Sequence, residues 1–204
     1  RTTTSPFAVA ELAEALSGED VTVLVKNPLN PDIELWEGAL LRLKSAGVDR
    51  IAAIHRGFST YGKGFYRNAP LWQIPIELRR RHPALTILVD PSHISGRRDL
   101  VPLVSRIGLE MNFSGLMVET HLQPDEAWSD AAQQLTPEAL FQLIDELDIR
   151  PASLADSPQL RALRGEIDEL DRKLLLLLQE RMKVSERIGA IKAESHLPIV
   201  QPER

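Results

Sequence analysis

Lys26, Arg56, His93 and Glu119 each stand at or just past the end of a short apolar run, at 21–25, 51–54, 86–89 and 115–118. Two cations, an imidazole and a carboxylate are the groups that hold an anionic substrate beside a divalent metal ion. The runs begin about 30 residues apart, the length of one strand–helix unit. Short β-branched runs alternating with helical stretches predict a parallel sheet, and ligands bind outside the carboxyl ends of such strands. The four side chains are therefore expected on one rim.

His93, Glu119 and Asp130 are the metal candidates. An imidazole and two carboxylates suit Mn²⁺, Fe²⁺, Co²⁺ or Zn²⁺. A lone histidine after a strand is as often structural, but a carboxylate at the end of the next strand favours a ligand. Asp130 could instead cap a helix, and His121 is a rival ligand on the same side as Glu119. Lys26 and Arg56 are the anion candidates, against the bland alternative of solvated surface charge.

The elements that must position these residues follow from periodicity. Residues 1–5 read as the end of a strand and a loop. Helices are expected at 6–16, 33–46, 73–81, 98–107 and 136–147, with Ser5 and Gly47 as caps. The loop 56–70, rich in Gly, Tyr, Lys and Arg, has the length and content of a functional loop. Four strand–helix units are half of an eight-stranded barrel, so 1–147 reads as the C-terminal part of one. A polar stretch with two prolines, 148–158, reads as a linker. Beyond it, 159–204 carries Leu163, Ile167, Leu170, Leu174, Leu177, Val184, Ile188 and Ile191 at alternating steps of four and three, broken only by Arg181. That pattern predicts a long amphipathic helix that needs a partner, most simply the same helix of a second copy. Arg181 sits on its apolar stripe. Arg181 and Lys192 share a face and Arg164 does not, so two helices are needed to aim all three cations at one ligand.

Composition bounds the function. The chain has 204 residues, 43% hydrophobic and 26% charged, as in ordinary globular proteins. A net charge of −5 argues against general nucleic-acid binding. No apolar run approaches ~18 residues, so no membrane span is expected. With no cysteine there is no disulfide framework, and a cytoplasmic enzyme is the expectation.

Taken in order, Arg1-Thr-Thr-Thr-Ser5, Val25-Lys-Asn-Pro28, Ile54-His-Arg-Gly57, Tyr66-Arg-Asn68, Asp90-Pro-Ser-His93, Gly96-Arg-Arg-Asp99, Val118-Glu-Thr-His121 and Trp128-Ser-Asp130 resemble one family. It is the type Iβ 3-deoxy-D-arabino-heptulosonate 7-phosphate (DAHP) synthases, over residues 1–147. The resemblance implies a metal-dependent (β/α)₈ barrel that condenses phosphoenolpyruvate with erythrose 4-phosphate in the shikimate pathway. It implies His93, Glu119 and Asp130 as metal ligands, and Arg1, Lys26 and Arg56 as the cations around phosphoenolpyruvate. The family's ligand cysteine and its Lys-Pro-Arg-Thr segment have no counterpart here. Both belong to early barrel strands that would precede Arg1, so the expectation is a truncated chain, inactive by itself.

Leu163-Arg-Gly-Glu-Ile-Asp-Glu-Leu-Asp171, Leu178-Gln-Glu-Arg181, Ile188-Gly-Ala-Ile-Lys192 and Pro198-Ile-Val-Gln-Pro-Glu-Arg204 resemble the start of an AroQ-class chorismate mutase. This implies a helical homodimer, no cofactor, and rearrangement of chorismate to prephenate. Arg181, Lys192 and Arg204 would bind the dianion, with Lys192 at the ether oxygen and Arg164 reaching the partner's site. Two other readings stay open. The helical tail could be a prephenate-sensing dimerisation module, or the barrel a different metal-dependent aldolase.

Overall fold

The alternating pattern folds into four strands and seven helices in the computed structural model, which describes residues 2–62, 64–147, 158–195 and 197–198. The strands are β1 (Val23–Lys26), β2 (Ile51–His55), β3 (Thr86–Val89) and β4 (Gly115–Leu116). They pair in parallel in chain order, with Val23 beside Ile51, Ala52 beside Thr86 and Leu88 beside Gly115. The chain divides into two units, Arg1–Ala152 and Ser153–Arg204.

The helices of the first unit are α1 (Pro6–Ala15), α2 (Ile33–Ser45), α3 (Gln73–Arg81), α4 (Pro91–Ser95), α5 (Val101–Glu110) and α6 (Pro137–Glu146). Ser5, Asp32 and Thr136 start α1, α2 and α6, each accepting the backbone N–H three residues on. Each cap satisfies one of the first-turn donors that a helix leaves unpaired. Gly47, at φ +86°, turns the chain after α2. The core lies between sheet and helices. Trp36, Ala39, Leu40 and Leu43 of α2 pack with Val25, Ala53, Ile87 and Val89, joined by Leu78 and Val104. Trp36 is fully buried, and its indole N–H donates to the Val25 carbonyl at 3.1 Å.

Strand alternation decides what faces the other side of the sheet. Lys26 lies beside Ile54, and Ile54 beside Leu88. Residues two positions on share their face, so Lys26, Arg56 and Asp90 fall on the face opposite α2.

Four expectations shift. Thr2–Thr4 forms a 3₁₀ turn, not a strand end, because the chain is already bending into the Ser5 cap. A short helix, α4, follows β3 where none is expected, so His93 lies on a helical turn. β4 is only two residues long. The Met117 N–H still reaches Val89 O, but the Glu119 N–H goes to Ser92 Oγ, which takes the chain out of the ladder. The helix expected at 98–107 starts as a 3₁₀ turn, Arg98–Leu100, and becomes α-helical at Val101, where Pro102 fits the first turn.

In the second unit, α7 runs unbroken from Pro158 to Glu194, 37 residues or about 55 Å. Its stripe of Leu163, Ile167, Leu170, Leu174, Leu177, Val184, Ile188 and Ile191 is exposed. Of the expected linker 148–158, residues 148–157 lie outside the described residues, and Pro158 opens the helix. Among the described residues, no helix is long and apolar enough to cross a membrane.

His55 closes β2 with its ring fully buried against Trp36, Phe58 and Trp72, at centroid distances of 6.3, 5.7 and 5.1 Å. Burial pushes its pKa down from 6.5 to about 3, against opposing pulls from the Pro70 backbone and the Asp90 charge. Between those two values the unfolded chain binds a proton that the folded chain refuses. Stability therefore falls as pH drops through this window, by about 1.4 kcal/mol per unit. Between pH 6.5 and 4.5, His55→Phe is expected to lose about 2 kcal/mol less than wild type in urea unfolding followed by tryptophan fluorescence. Equal losses would mean that His55 does not stay neutral when buried.

Candidate metal and anion site

Asp90-Pro-Ser-His93 is a helix start in which each polar residue has a partner. Asp90 is the N-cap of α4, and its Oδ1 accepts the His93 N–H at 3.0 Å. Pro91 occupies the first turn, where a missing N–H costs nothing. Ser92 Oγ accepts the Glu119 N–H at 3.0 Å. His93 then projects from the first turn toward the strand ends.

Asp90 is fully buried, and its second oxygen, Oδ2, meets two basic groups. Lys26 Nζ donates to it at 3.0 Å, and His93 Nδ1 lies 2.9 Å away. The latter contact is too bent for a well-formed hydrogen bond and acts by charge and position. Burial alone would raise the Asp90 carboxyl. The His93 side chain and backbone, with the Lys26 charge, outweigh it and hold the pKa below the usual value.

The structure brings together the three residues expected as metal ligands. One atom from each of His93, Glu119 and Asp130 lies within 4.8 Å of the other two. His93 Nε2 is 3.6 Å from Glu119 Oε1 and 3.8 Å from Asp130 Oδ2. These gaps are too long for hydrogen bonds. They are close to the spacing of donor atoms around one ion bound at about 2.0–2.2 Å. The donor set, one nitrogen and two oxygens, suits a borderline divalent cation. His121 is not part of the cluster. It is exposed, and its Nδ1 turns back on the Gln123 backbone.

Asp130 does not cap a helix with its side chain, which is taken by Arg67 at 2.6 Å. The Arg67 guanidinium holds its carboxyl below the usual range, with smaller help from His93 and Arg56. Its backbone is left-handed, at φ +52°, an uncommon conformation that Asp tolerates better than most residues. The segment returns to Glu119 because Leu135 N–H donates to Glu119 O and His121 N–H to Leu135 O.

Arg56 is placed by Asn27. Asn27 Oδ1 accepts the Arg56 N–H at 2.6 Å, while its Nδ2 donates to the Gly57 and Pro28 carbonyls. One buried amide thus ties the end of β1 to the turn after β2, so Lys26 and Arg56 move together. Arg56 Nε is buried and has no hydrogen-bond partner among the described residues. Lys26 is 38% exposed and gives Asp90 one of its three N–H donors. Arg1 and Arg204 lie outside the described residues. Arg164, Arg181 and Lys192 lie on α7, where Lys192 Nζ approaches the Pro198 carbonyl at 3.5 Å.

A parallel sheet carrying an imidazole, two carboxylates and two cations beyond its strand ends has the layout of the (β/α)-barrel class, whose sites lie on that rim. Comparison with known proteins makes this specific. Residues 6–149 match the DAHP synthetase I family, and residues 163–204 match the chorismate mutase type II family. The chain belongs to the DAHP synthetase I family, and the same polypeptide carries a segment that matches the chorismate mutase type II family. It is 34% identical over 125 residues to a phospho-2-dehydro-3-deoxyheptonate aldolase of Thermotoga maritima, covering 61% of this chain and 36% of that protein. It is 52% identical over 46 residues to a bifunctional chorismate mutase/prephenate dehydratase of Aquifex aeolicus, covering 22% and 13%. A solved truncated form of the Thermotoga maritima 3-deoxy-D-arabino-heptulosonate 7-phosphate synthase superposes with a TM-score of 0.62 at 30% identity, covering 70% of this chain and 54% of that one. The chain thus spans about half or less of the length of these relatives.

The loop 56–70 is fastened to α4 by close backbone approach. The N–H groups of Arg67 and Asn68 donate to the Ser95 and Ile94 carbonyls, and Asn68 Nδ2 donates to His93 O at 2.7 Å. A Cβ on Gly96 would lie 2.4 Å from Arg67 Cβ, and one on Gly57 would lie 2.7 Å from Asn68 O. Gly62 shares their positive φ but has open space around it. Gly57→Ala and Gly96→Ala are each expected to destabilise the first unit by about 2 kcal/mol or more, and Gly62→Ala by about 1 kcal/mol. Thermal melts of the three variants check this, and equal losses would mean that the loop does not need the close approach.

Proposed function

We propose that the protein condenses phosphoenolpyruvate with erythrose 4-phosphate through its first unit and rearranges chorismate to prephenate through the helical segment that α7 begins. The cluster of His93 Nε2, Glu119 Oε1 and Asp130 Oδ2 beside Lys26 and Arg56 carries the reading. In this reading the synthase domain extends to 147, a linker covers 148–158, and the mutase domain starts at 159.

His93, Glu119 and Asp130 would hold a divalent ion of the Mn²⁺, Fe²⁺, Co²⁺ or Zn²⁺ type, which when bound would supply Lewis-acid polarisation of the sugar aldehyde. Lys26 and Arg56, with Arg1, hold the phosphate and carboxylate of phosphoenolpyruvate. The unpaired Arg56 Nε–H is a donor suited to an anionic oxygen. So held, carbon 3 of phosphoenolpyruvate attacks the aldehyde carbon, whose oxygen becomes a hydroxyl. Water adds at carbon 2, and inorganic phosphate leaves as the ketone forms. Fixed cations balance the charge of this trianionic substrate without solvent reorganisation.

In the mutase segment, Arg181, Lys192 and Arg204 bind the substrate dianion, and Lys192 donates to the ether oxygen as its bond breaks. Arg164 reaches the site of a second copy, and the exposed stripe of α7 is the dimer seam. The rearrangement is intramolecular and needs a held conformer and positive charge, but no nucleophile and no cofactor. A cytoplasmic location fits such a biosynthetic enzyme.

In the full-length protein, His93→Ala is expected to lower Mn²⁺-dependent consumption of phosphoenolpyruvate by more than about 10²-fold and to leave mutase turnover unchanged. Lys192→Ala is expected to do the reverse, lowering chorismate turnover by about 10²–10³-fold. Retained mutase turnover in Lys192→Ala, with loss of feedback by prephenate alone, would make the tail a sensor and not a catalyst.

A further inference from the structure

Each of the three candidate ligands offers one atom to the shared centre and has its other polar atom held from behind. His93 Nδ1 faces Asp90, Asp130 Oδ1 is held by Arg67, and Glu119 Oε2 accepts from Gln133 Nε2 at 2.8 Å. The last two holds are joined. Arg67 Nη1, which reaches Asp130 at 2.6 Å, also donates to Gln133 Oε1 at 2.7 Å. Asp130, Arg67, Gln133 and Glu119 thus form one continuous belt behind two of the three ligands.

We propose that Gln133 is a positioning residue for the metal centre, its amide coupling the Glu119 carboxylate to the Arg67–Asp130 pair so that both carboxylates present their inner oxygens together. This rests on the metal-centre reading above. An amide suits the place because it donates at one end and accepts at the other. A carboxylate there would accept from Arg67 but repel Glu119, and a hydrocarbon would do neither. Gln133 is 1% exposed, so its hydrogen bonds are not traded with water, and its side chain is free to meet only these partners. Arg67 in turn is fixed by the 56–70 loop lying across Gly96. The belt therefore connects the loop to both carboxylates.

The test is Mn²⁺ binding to the full chain, followed by loss of the free-ion electron paramagnetic resonance signal, with thermal melting alongside. Wild type is expected to bind Mn²⁺ more tightly than His93→Ala. Gln133→Met, which keeps length and burial but removes both hydrogen bonds, should weaken binding tenfold or more, in the range seen when outer-shell partners are lost. Arg67→Met, at a half-exposed position, should weaken it similarly. Affinity within twofold of wild type in Gln133→Met, with or without a lowered melting temperature, would overturn the proposal and leave Gln133 a packing residue. If Gln133→Met does not fold, unchanged affinity in Arg67→Met overturns it instead. If wild type binds no better than His93→Ala, the metal-centre reading falls and takes this inference with it.

Discussion

A fully buried carboxylate, Asp90, is the constraint on which the site is built. Removing a carboxylate from water is tolerated only when its lone pairs are met by donors and its charge by cations. Here Oδ1 caps α4, and Oδ2 faces Lys26 and His93. The three contacts come from two places, the end of β1 and the first turn of α4, where His93 supplies both its N–H and its ring. Satisfying Asp90 therefore fixes how β1 and α4 sit relative to each other. The same act that starts the helix orients the imidazole, so the position of Nε2 follows from a capping interaction.

The other candidate site residues are held in the same manner, by long-range contacts and not by local structure. Ser92 Oγ draws the Glu119 N–H out of the β4 ladder, and Gln133 meets its carboxylate. Asn27 ties Arg56 to the end of β1. These links run between residues 14 to 63 positions apart in sequence. The carboxyl-end rim is thus a network in which each reactive side chain is fixed by at least one neighbour that does no chemistry itself.

This division explains what the sequence discloses. Lys26, Arg56 and Glu119 are legible because each stands at the end of a β-branched run, and period-two alternation sends them to one face. His93 is legible from its neighbourhood, although the five-residue α4 is too short to leave a periodic signal. Asp90, Asn27, Arg67 and Gln133 are not legible as site residues. Each lies inside a motif already read for other reasons or in a polar stretch, and only a long-range contact reveals its partner. The shortness of β4 is hidden likewise, since nothing local in 115–118 tells that the Glu119 N–H is spoken for by Ser92. On α7 the apolar spacing alone predicts the helix, because a stripe of threes and fours from Leu163 to Ile191, broken only at Arg181, admits little else.

The two units place opposite demands on their charged residues, and this separates their modes of control. In the first unit Lys26 has two duties. It neutralises Asp90, and by its half-exposed end it faces the rim where an anion would sit. Removing it would leave Asp90 buried with only the bent His93 contact against its charge, so the imidazole would shift before any substrate arrived. Lysine cannot be traded there without disturbing His93, so in the proposed reading anion binding and metal geometry are one coupled property. On α7, by contrast, Arg181 and Lys192 stand on an exposed helix, where Lys192 Nζ approaches the Pro198 carbonyl. Their positions are set by helix spacing and by whatever covers the apolar stripe. In the proposed reading, order in the second site comes from association, whereas in the first the contacts around Asp90 already supply it.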